Sequence, residues 1–250
     1  MNATKIRVLN VDIDNITMDT LLERKEGVII TVHPDMLMRL QKDREFYDVA
    51  NKADLITCDS QILMFISKLM GTPFIERVSG SDYFPLFYKK FANDPTVTIF
   101  LLGAMEGVGA TARDKINAKV GRNIVVGVYS PPFGFANDPV ELDKAIARVN
   151  ESEATVVVAG ISNPISEKLY SHHREKFTHA KLFLSLGGTI DYEAGRVKRP
   201  APWVTNFGLE WAWRVMLEPR KRWKRYFIDQ PPVLALLAKQ RLGRYHDPFK

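Results

Sequence analysis

Six short apolar runs, each followed by a helix-like stretch, set the terms of this fold. The runs are Val28–Val32, Leu55–Cys58, Val97–Leu102, Ile124–Tyr129, Thr155–Ala159 and Lys181–Leu186. They are dense in Val, Ile, Leu and Phe, the composition of strands buried on both faces. Helical patterns fall between them, at Asp35–Lys52, Ile62–Met70, Val108–Val120, Val140–Glu151 and Glu167–Lys176. This rhythm predicts an α/β fold with a doubly wound, mostly parallel sheet. A chain of 250 residues, 46% hydrophobic, has material for a sizeable core.

The rhythm stops after Leu186. A turn-rich piece bracketed by Gly187, Gly188 and Gly195 leads into a segment holding all four tryptophans, Trp203, Trp211, Trp213 and Trp223. Charge changes at the same place. Residues 196–250 carry 13 Lys/Arg against 4 Asp/Glu, whereas residues 1–195 carry 22 against 25. The basic excess therefore belongs to the last quarter of the chain and calls for an anionic partner there: lipid head groups, nucleic acid or a phosphorylated substrate. Aromatic rings mixed with cations suit a membrane interface. We expect a core at 1–202 and a helical, basic C-terminal appendage at 203–250 that docks on a membrane. No apolar run approaches the ~20 residues of a spanning helix, and the mixed-charge N-terminus does not read as a signal peptide. A single cysteine, Cys58, rules out an internal disulfide.

In an open α/β sheet, ligands bind beyond the carboxyl ends of strands. Thr31 ends one predicted strand and Asp59 follows another. A carboxylate there suits a general base; it equally suits a helix N-cap, and both roles stay open for Asp59. In Arg77-Val-Ser-Gly-Ser-Asp82, Arg77 has the fork geometry for a diphosphate. Asp82 suits a hydroxyl or Arg77 itself, and Ser81 or Asp82 equally suits the cap of a helix at Tyr83–Phe91. Asp12-Ile-Asp14 matches a three-letter metal motif of many sugar-nucleotide enzymes, but such a motif recurs by chance and no neighbour adds a ligand. The histidines lack metal-site spacing. Neither a metal nor another cofactor is expected. The glycines at 103, 107 and 109 do not fit dinucleotide spacing and read as a tight turn. Cys58 reads as a small buried residue.

The chain resembles the WecG/TagA/CpsF glycosyltransferases of bacterial cell-surface polysaccharide synthesis. The strongest block is Leu186-Gly-Gly-Thr-Ile-Asp191-Tyr-Glu-Ala-Gly195-Arg-Val-Lys-Arg199-Pro-Ala-Pro202-Trp203. It continues through Gly208-Leu-Glu-Trp211, Arg214 and Glu218-Pro-Arg-Lys-Arg222-Trp-Lys-Arg225-Tyr226. Thr31, Asp59, Arg77-Val78, Gly80-Ser81-Asp82 and Leu101-Leu102-Gly103 match in order and spacing. The resemblance implies a Rossmann-like core and metal-independent, inverting transfer from a UDP-sugar to a polyprenyl-diphosphate-linked saccharide. It implies an enzyme on the cytoplasmic face of the membrane. Asp59 matches the family's proposed base, and Thr31 and Arg77 match pocket residues.

Two departures stand out. Ser60 replaces a common glycine after the aspartate. Ser162-Asn-Pro164-Ile-Ser166-Glu167 replaces a G-x-P-x-Q-E pattern, so Ser166 stands where the family has glutamine. That loss removes an amide from the sugar pocket and admits a hexose other than N-acetylmannosamine. Expected substrate contacts are Thr31, Arg77, Asp82, Ser166, Asp191, Arg199, Arg214, Arg222 and Arg225, with Asp59 catalytic. The basic tail alone also fits a nucleic-acid-binding protein, against which stand its tryptophans and the lack of a recognised module. A non-catalytic nucleotide-binding regulator on the same fold is the third reading. Homo-oligomerisation is left open.

Overall fold

The computed structural model describes residues 4–199, 201, 204, 210–217, 219–224, 227–228 and 231–250; at 210, 211, 214, 217, 221 and 222 it describes the backbone alone. Its centre is a six-stranded sheet of β3 (Gly27–Val32), β4 (Leu55–Cys58), β5 (Ile99–Gly103), β6 (Val125–Tyr129), β7 (Val156–Gly160) and β8 (Leu182–Ser185). Their order is β4-β3-β8-β7-β5-β6, and every neighbouring pair is parallel. The expected doubly wound α/β architecture is thus present, with each predicted strand within two residues of its observed bounds.

Both faces of the sheet are covered, which is why its strands are mostly apolar, with Thr31, Thr57 and Ser185 as their aliphatic hydroxyl residues. Alternation along a strand divides the core in two. Val28, Ile30 and Val32 pack on one side with Phe46, Tyr170 and Phe183. Ile29 packs on the other with Phe84, Phe87, Ile116 and Leu184. The first side is covered by α2 (Pro34–Arg39), α3 (Arg44–Asn51), α4 (Gln61–Leu69), α7 (Pro139–Glu151) and α8 (Ile165–His173). The second is covered by α5 (Gly80–Lys90), α6 (Val108–Val120) and α9 (Thr189–Ala194), with α1 (Met18–Leu22) at its margin. The single helix expected over Asp35–Lys52 is two: Asp43 accepts from Phe46 N at 2.9 Å and caps a new start.

β1 (Thr4–Val8) and β2 (Val11–Asn15) form an antiparallel hairpin outside the main sheet. Toward the C-terminus come α10 (Glu210–Leu217), α11 (Pro219–Lys224) and α12 (Pro231–Arg241). α12 is stitched to the core: Val233 and Leu237 are buried in it, and Gln240 bonds the hairpin turn at Leu9 N (2.7 Å) and Arg7 O (2.9 Å).

The strands β3 and β8 lie side by side, yet their following helices part. Met36 and Leu37 of α2 join the first core; Ile190 of α9 joins the second. Connections leaving adjacent strands toward opposite faces open a crevice at their carboxyl ends.

Candidate active site

That crevice is a cleft of about 340 Å³. Thr31 and His33 line it from the end of β3, Asp59 from β4, Asn163 and its neighbours from β7, and Ser185 to Thr189 from β8. Asp35 and Arg39 of α2, Glu167 of α8, and Asp191 and Tyr192 of α9 complete the wall.

Local chemistry explains why Asp59 faces the cleft. Its N–H donates to Val32 O at 2.9 Å, continuing the β3–β4 ladder by a residue. Ser60 caps α4, accepting from Leu63 N at 3.3 Å. The capping role is therefore filled by the residue after Asp59, and the aspartate is released from it. Val78 N donates to Cys58 O at 2.9 Å, which lays the next loop alongside β4. Arg77 on that loop is mostly buried, its side chain 15% exposed, and forks between two carboxylates. Nη1 lies 3.5 Å from Asp59 Oδ1, and Nη2 lies 2.9 Å from Asp82 Oδ2. Ser79 occupies the N-cap position of α5, so neither Ser81 nor Asp82 is its cap. Asp82 stands in the first turn and holds Arg77. A Cβ on Gly80 would lie 2.9 Å from a Leu186 methyl, so glycine allows α5 to press against the β8–α9 turn.

Arg199 extends this polar chain away from the cleft. It donates to Ser81 O, stands 3.9 Å from Asp82 and pairs with Glu193 at 3.1 Å. Glu193 is buried and also meets Lys119 and the Tyr88 hydroxyl, each at 2.9 Å. Asp191 lines the cleft and holds Arg196 at 2.8 Å. Ser166 is fully buried; its hydroxyl donates to Glu167 at 3.1 Å, and it is Glu167 that reaches the cleft. Of the three arginines expected at a diphosphate, Arg225 lies outside the described residues, as do the side chains of Arg214 and Arg222, whose backbones belong to α10 and α11. The proposed core boundary at Trp203 also falls outside them.

The sequence reading passed over His33, Asp35, Arg39, Asn163 and Glu167. His33 follows β3 as Asp59 follows β4, so the strand-end rule that flagged Asp59 applies to it equally. It caps α2 by accepting from Met36 N at 3.3 Å, and its Nε2 faces the Asn163 amide at 3.2 Å. Burial pushes the Glu167 carboxyl up to about 7, against the opposing pull of its own amide and the Ser166 hydroxyl. Asp12 and Asp14 sit on β2. Asp14 is buried and accepts from Ile56 N at 2.9 Å, while Asp12 pairs with Arg7 at 3.2 Å. Cys58 is buried, and its thiol is pushed up to about 12 by that burial, as befits a packing residue.

A sequence model of the glycosyl transferase WecG/TagA/CpsF family matches residues 6–247. An N-acetylglucosaminyldiphosphoundecaprenol N-acetyl-beta-D-mannosaminyltransferase of Bacillus subtilis (strain 168) is 31% identical over 221 residues, 88% of this chain and 83% of the relative. A protein of the same name from Bacillus spizizenii is 28% identical over 223 residues, covering 89% and 83%. Among the described residues no helix is long and apolar enough to cross a membrane.

Proposed function

Because the chain belongs to the WecG/TagA/CpsF family of glycosyltransferases, we propose that it moves a hexose or N-acetylhexosamine from a UDP-sugar to a polyprenyl-diphosphate-linked saccharide, with inversion and Asp59 as general base. The observation that carries this reading is the placement of Asp59: at a strand end, in a cleft at the sheet's switch point, pinned by Arg77 at 3.5 Å. The relatives' names supply the acceptor class, an N-acetylglucosaminyl diphosphoundecaprenol.

The acceptor hydroxyl oxygen attacks the anomeric carbon from the face opposite UDP. Its bond to carbon forms as the bond from carbon to the phosphate oxygen breaks, and configuration inverts. Asp59 takes the hydroxyl proton; UDP leaves with the bonding pair. Negative charge grows on the diphosphate, and cations aimed there lower the barrier. Arg214, Arg222 and Arg225 are the proposed cations, and Thr31 and Asp191 are proposed to contact substrate. Arg77, Asp82 and Arg199 act by holding the base and its loop.

The basic segment is proposed to dock on an anionic membrane surface. Its large apolar side chains support this: Met216, Trp223, Phe227 and Ile228 are all exposed, in a stretch of sequence rich in Lys and Arg.

The test is a screen of UDP-sugars with a short-chain polyprenyl-diphosphate saccharide, followed by Asp59→Asn. The variant keeps shape and loses basicity, so turnover should fall about a hundredfold or more. Near wild-type turnover in a folded variant rejects Asp59 as the base.

A further inference from the structure

Outside the cleft wall, α9 carries a carboxylate that is almost sealed from water. The Glu193 side chain is 3% exposed, and both of its oxygens are occupied. Oε2 accepts from the Tyr88 hydroxyl of α5 and from Lys119 of α6, each at 2.9 Å; Oε1 accepts from Arg199 Nη2 at 3.1 Å. A buried charge is costly unless it is paired and hydrogen-bonded, and here two cations and a hydroxyl meet that need. The two cations differ in what else they hold. Lys119 turns back to the Tyr88 hydroxyl at 3.4 Å. Arg199 reaches on to the first turn of α5, where Nη2 also donates to Ser81 O and Nη1 lies 3.9 Å from Asp82 Oδ1.

We propose that Glu193 is a positioning residue for the transfer reaction: it fixes Arg199 against the first turn of α5, and so fixes the Asp82 that holds Arg77 beside Asp59. This inference rests on the reading of Asp59 as the base. Arg199 and Asp82 are 37% and 45% exposed, and a 3.9 Å pair between such groups is too weak to order a long side chain. The shorter contact, to an oxygen out of water, is the less screened one and sets the direction of Arg199. Glu193 is itself stationary, because its other oxygen is tied to α5 and α6. From that fixed point Arg199 bonds the carbonyl of Ser81, the residue before Asp82, so turn and carboxylate are held together. Asp82 Oδ2 then takes Arg77 Nη2 at 2.9 Å, and Arg77 Nη1 stands 3.5 Å from Asp59. Glu193 is not part of the cleft wall and acts only through this relay.

Removing the Glu193 charge leaves Arg199 with a carbonyl and a weak pair, and the first turn of α5 loses its tie to α9. The consequence falls on kcat, since a base that strays from the acceptor hydroxyl slows proton transfer. The loss should be smaller than for Arg77→Lys, because Arg77 touches Asp59 and Glu193 stands three links away. Substitutions on one relay are also not independent: the second removes what the first has already lost. A general loosening of the fold would multiply instead.

The experiment measures kcat and KM for Glu193→Gln, Arg77→Lys and the double variant, all full length, with the UDP-sugar and short-chain acceptor that support turnover. Circular dichroism at the assay temperature confirms folding. Glu193→Gln keeps volume and an acceptor for Tyr88 while removing the charge. Expected is a kcat lowered roughly 3- to 10-fold with KM for the UDP-sugar within about twofold of wild type. The double variant should fall no more than about twofold below Arg77→Lys alone. If Glu193→Gln does not fold, Arg199→Gln, a change at a partly exposed side chain, takes its place and should show the same kcat loss and the same non-additivity. An unchanged kcat, losses that multiply in the double variant, or a loss confined to KM overturns the positioning role. Near wild-type turnover in Asp59→Asn, or none in wild type with any UDP-sugar, overturns the reading above and this inference with it. A large loss in Asp59→Asn beside an unaffected Glu193→Gln rejects Glu193 alone.

Discussion

Arg77 and Asp59 meet at 3.5 Å through one arm of a guanidinium whose other arm is fixed 2.9 Å from Asp82. Asp59, the proposed base, is thus held by a bridge anchored outside the cleft, and the anchor continues through Asp82 to Arg199, 3.9 Å away. A planar fork reaches two carboxylates at once; an ammonium cannot keep both directions. Arg77→Lys should therefore preserve charge and fold but lower kcat roughly 10- to 100-fold through misplacement of Asp59. Steady-state kinetics with circular dichroism checks this, and an unchanged kcat means the bridge does not position the base.

The strands were legible because burial on both faces keeps a run such as Leu55–Cys58 apolar but for one hydroxyl, Thr57, which is itself buried. Asp59 was legible as a strand-end carboxylate, but whether it capped α4 was decided by Ser60, a neighbour with equal capping propensity. The hairpin was hidden because its turn, Leu9-Asn10, lacks glycine: Leu9 takes φ 53 there, a conformation that costs a non-glycine residue free energy. Glu167 was quoted in the sequence yet its role was not, because its burial arises from packing of α8 on β8 across distant segments. The C-terminal helix was read as part of a basic appendage. Its sequence, PPVLALLAKQR, has apolar residues on all sides and does not announce which of them enter the core.

Glu167 should tie stability to pH. Its folded value, about 7, lies above the ordinary 4.5. Between those values the folded state binds the proton more tightly than the unfolded one, so stability is greatest below about 4.5 and declines as pH rises toward 7. The full difference amounts to roughly 3 kcal/mol. Urea denaturation of wild type and Glu167→Gln at pH 5 and pH 8 reads it: wild type should lose up to about that amount relative to the variant. A relative gain at pH 8 contradicts the burial of an acid at this position.

Membrane docking should have two separable components. Cations of the basic segment attract anionic lipid by roughly 1 kcal/mol each near the surface, an attraction that salt screens. Trp223 and Phe227, 50% and 57% exposed, add burial that salt does not remove. Sedimentation with anionic vesicles should weaken as ionic strength rises but leave a remainder, and Trp223→Ala with Phe227→Ala should abolish that remainder. Binding that is indifferent to both salt and these substitutions rejects the docking surface.

α12 should behave as core, whatever the segment before it does. Leu237 is buried while Leu234, a turn away, is half exposed. Leu237→Ala should cost about 2–4 kcal/mol, the usual loss for a large buried aliphatic group plus the cavity it leaves. Leu234→Ala should stay near 0.5 kcal/mol or less, a surface change. Gln240 supplies both an acceptor to Leu9 N and a donor to Arg7 O. Gln240→Ala strands those backbone groups at the hairpin turn and should cost about 1–3 kcal/mol. The effect should reach the site as well, since α12 packs on α2, whose Asp35 and Arg39 line the cleft. Loosening that contact should raise KM for the sugar nucleotide more than it lowers kcat, because Asp59 and Arg77 are anchored on β4 and the loop behind it. Urea midpoints and steady-state kinetics on the three variants decide the matter. If Leu237→Ala and Leu234→Ala proved equally mild, α12 would be a surface attachment, and truncation ahead of it would leave the core intact.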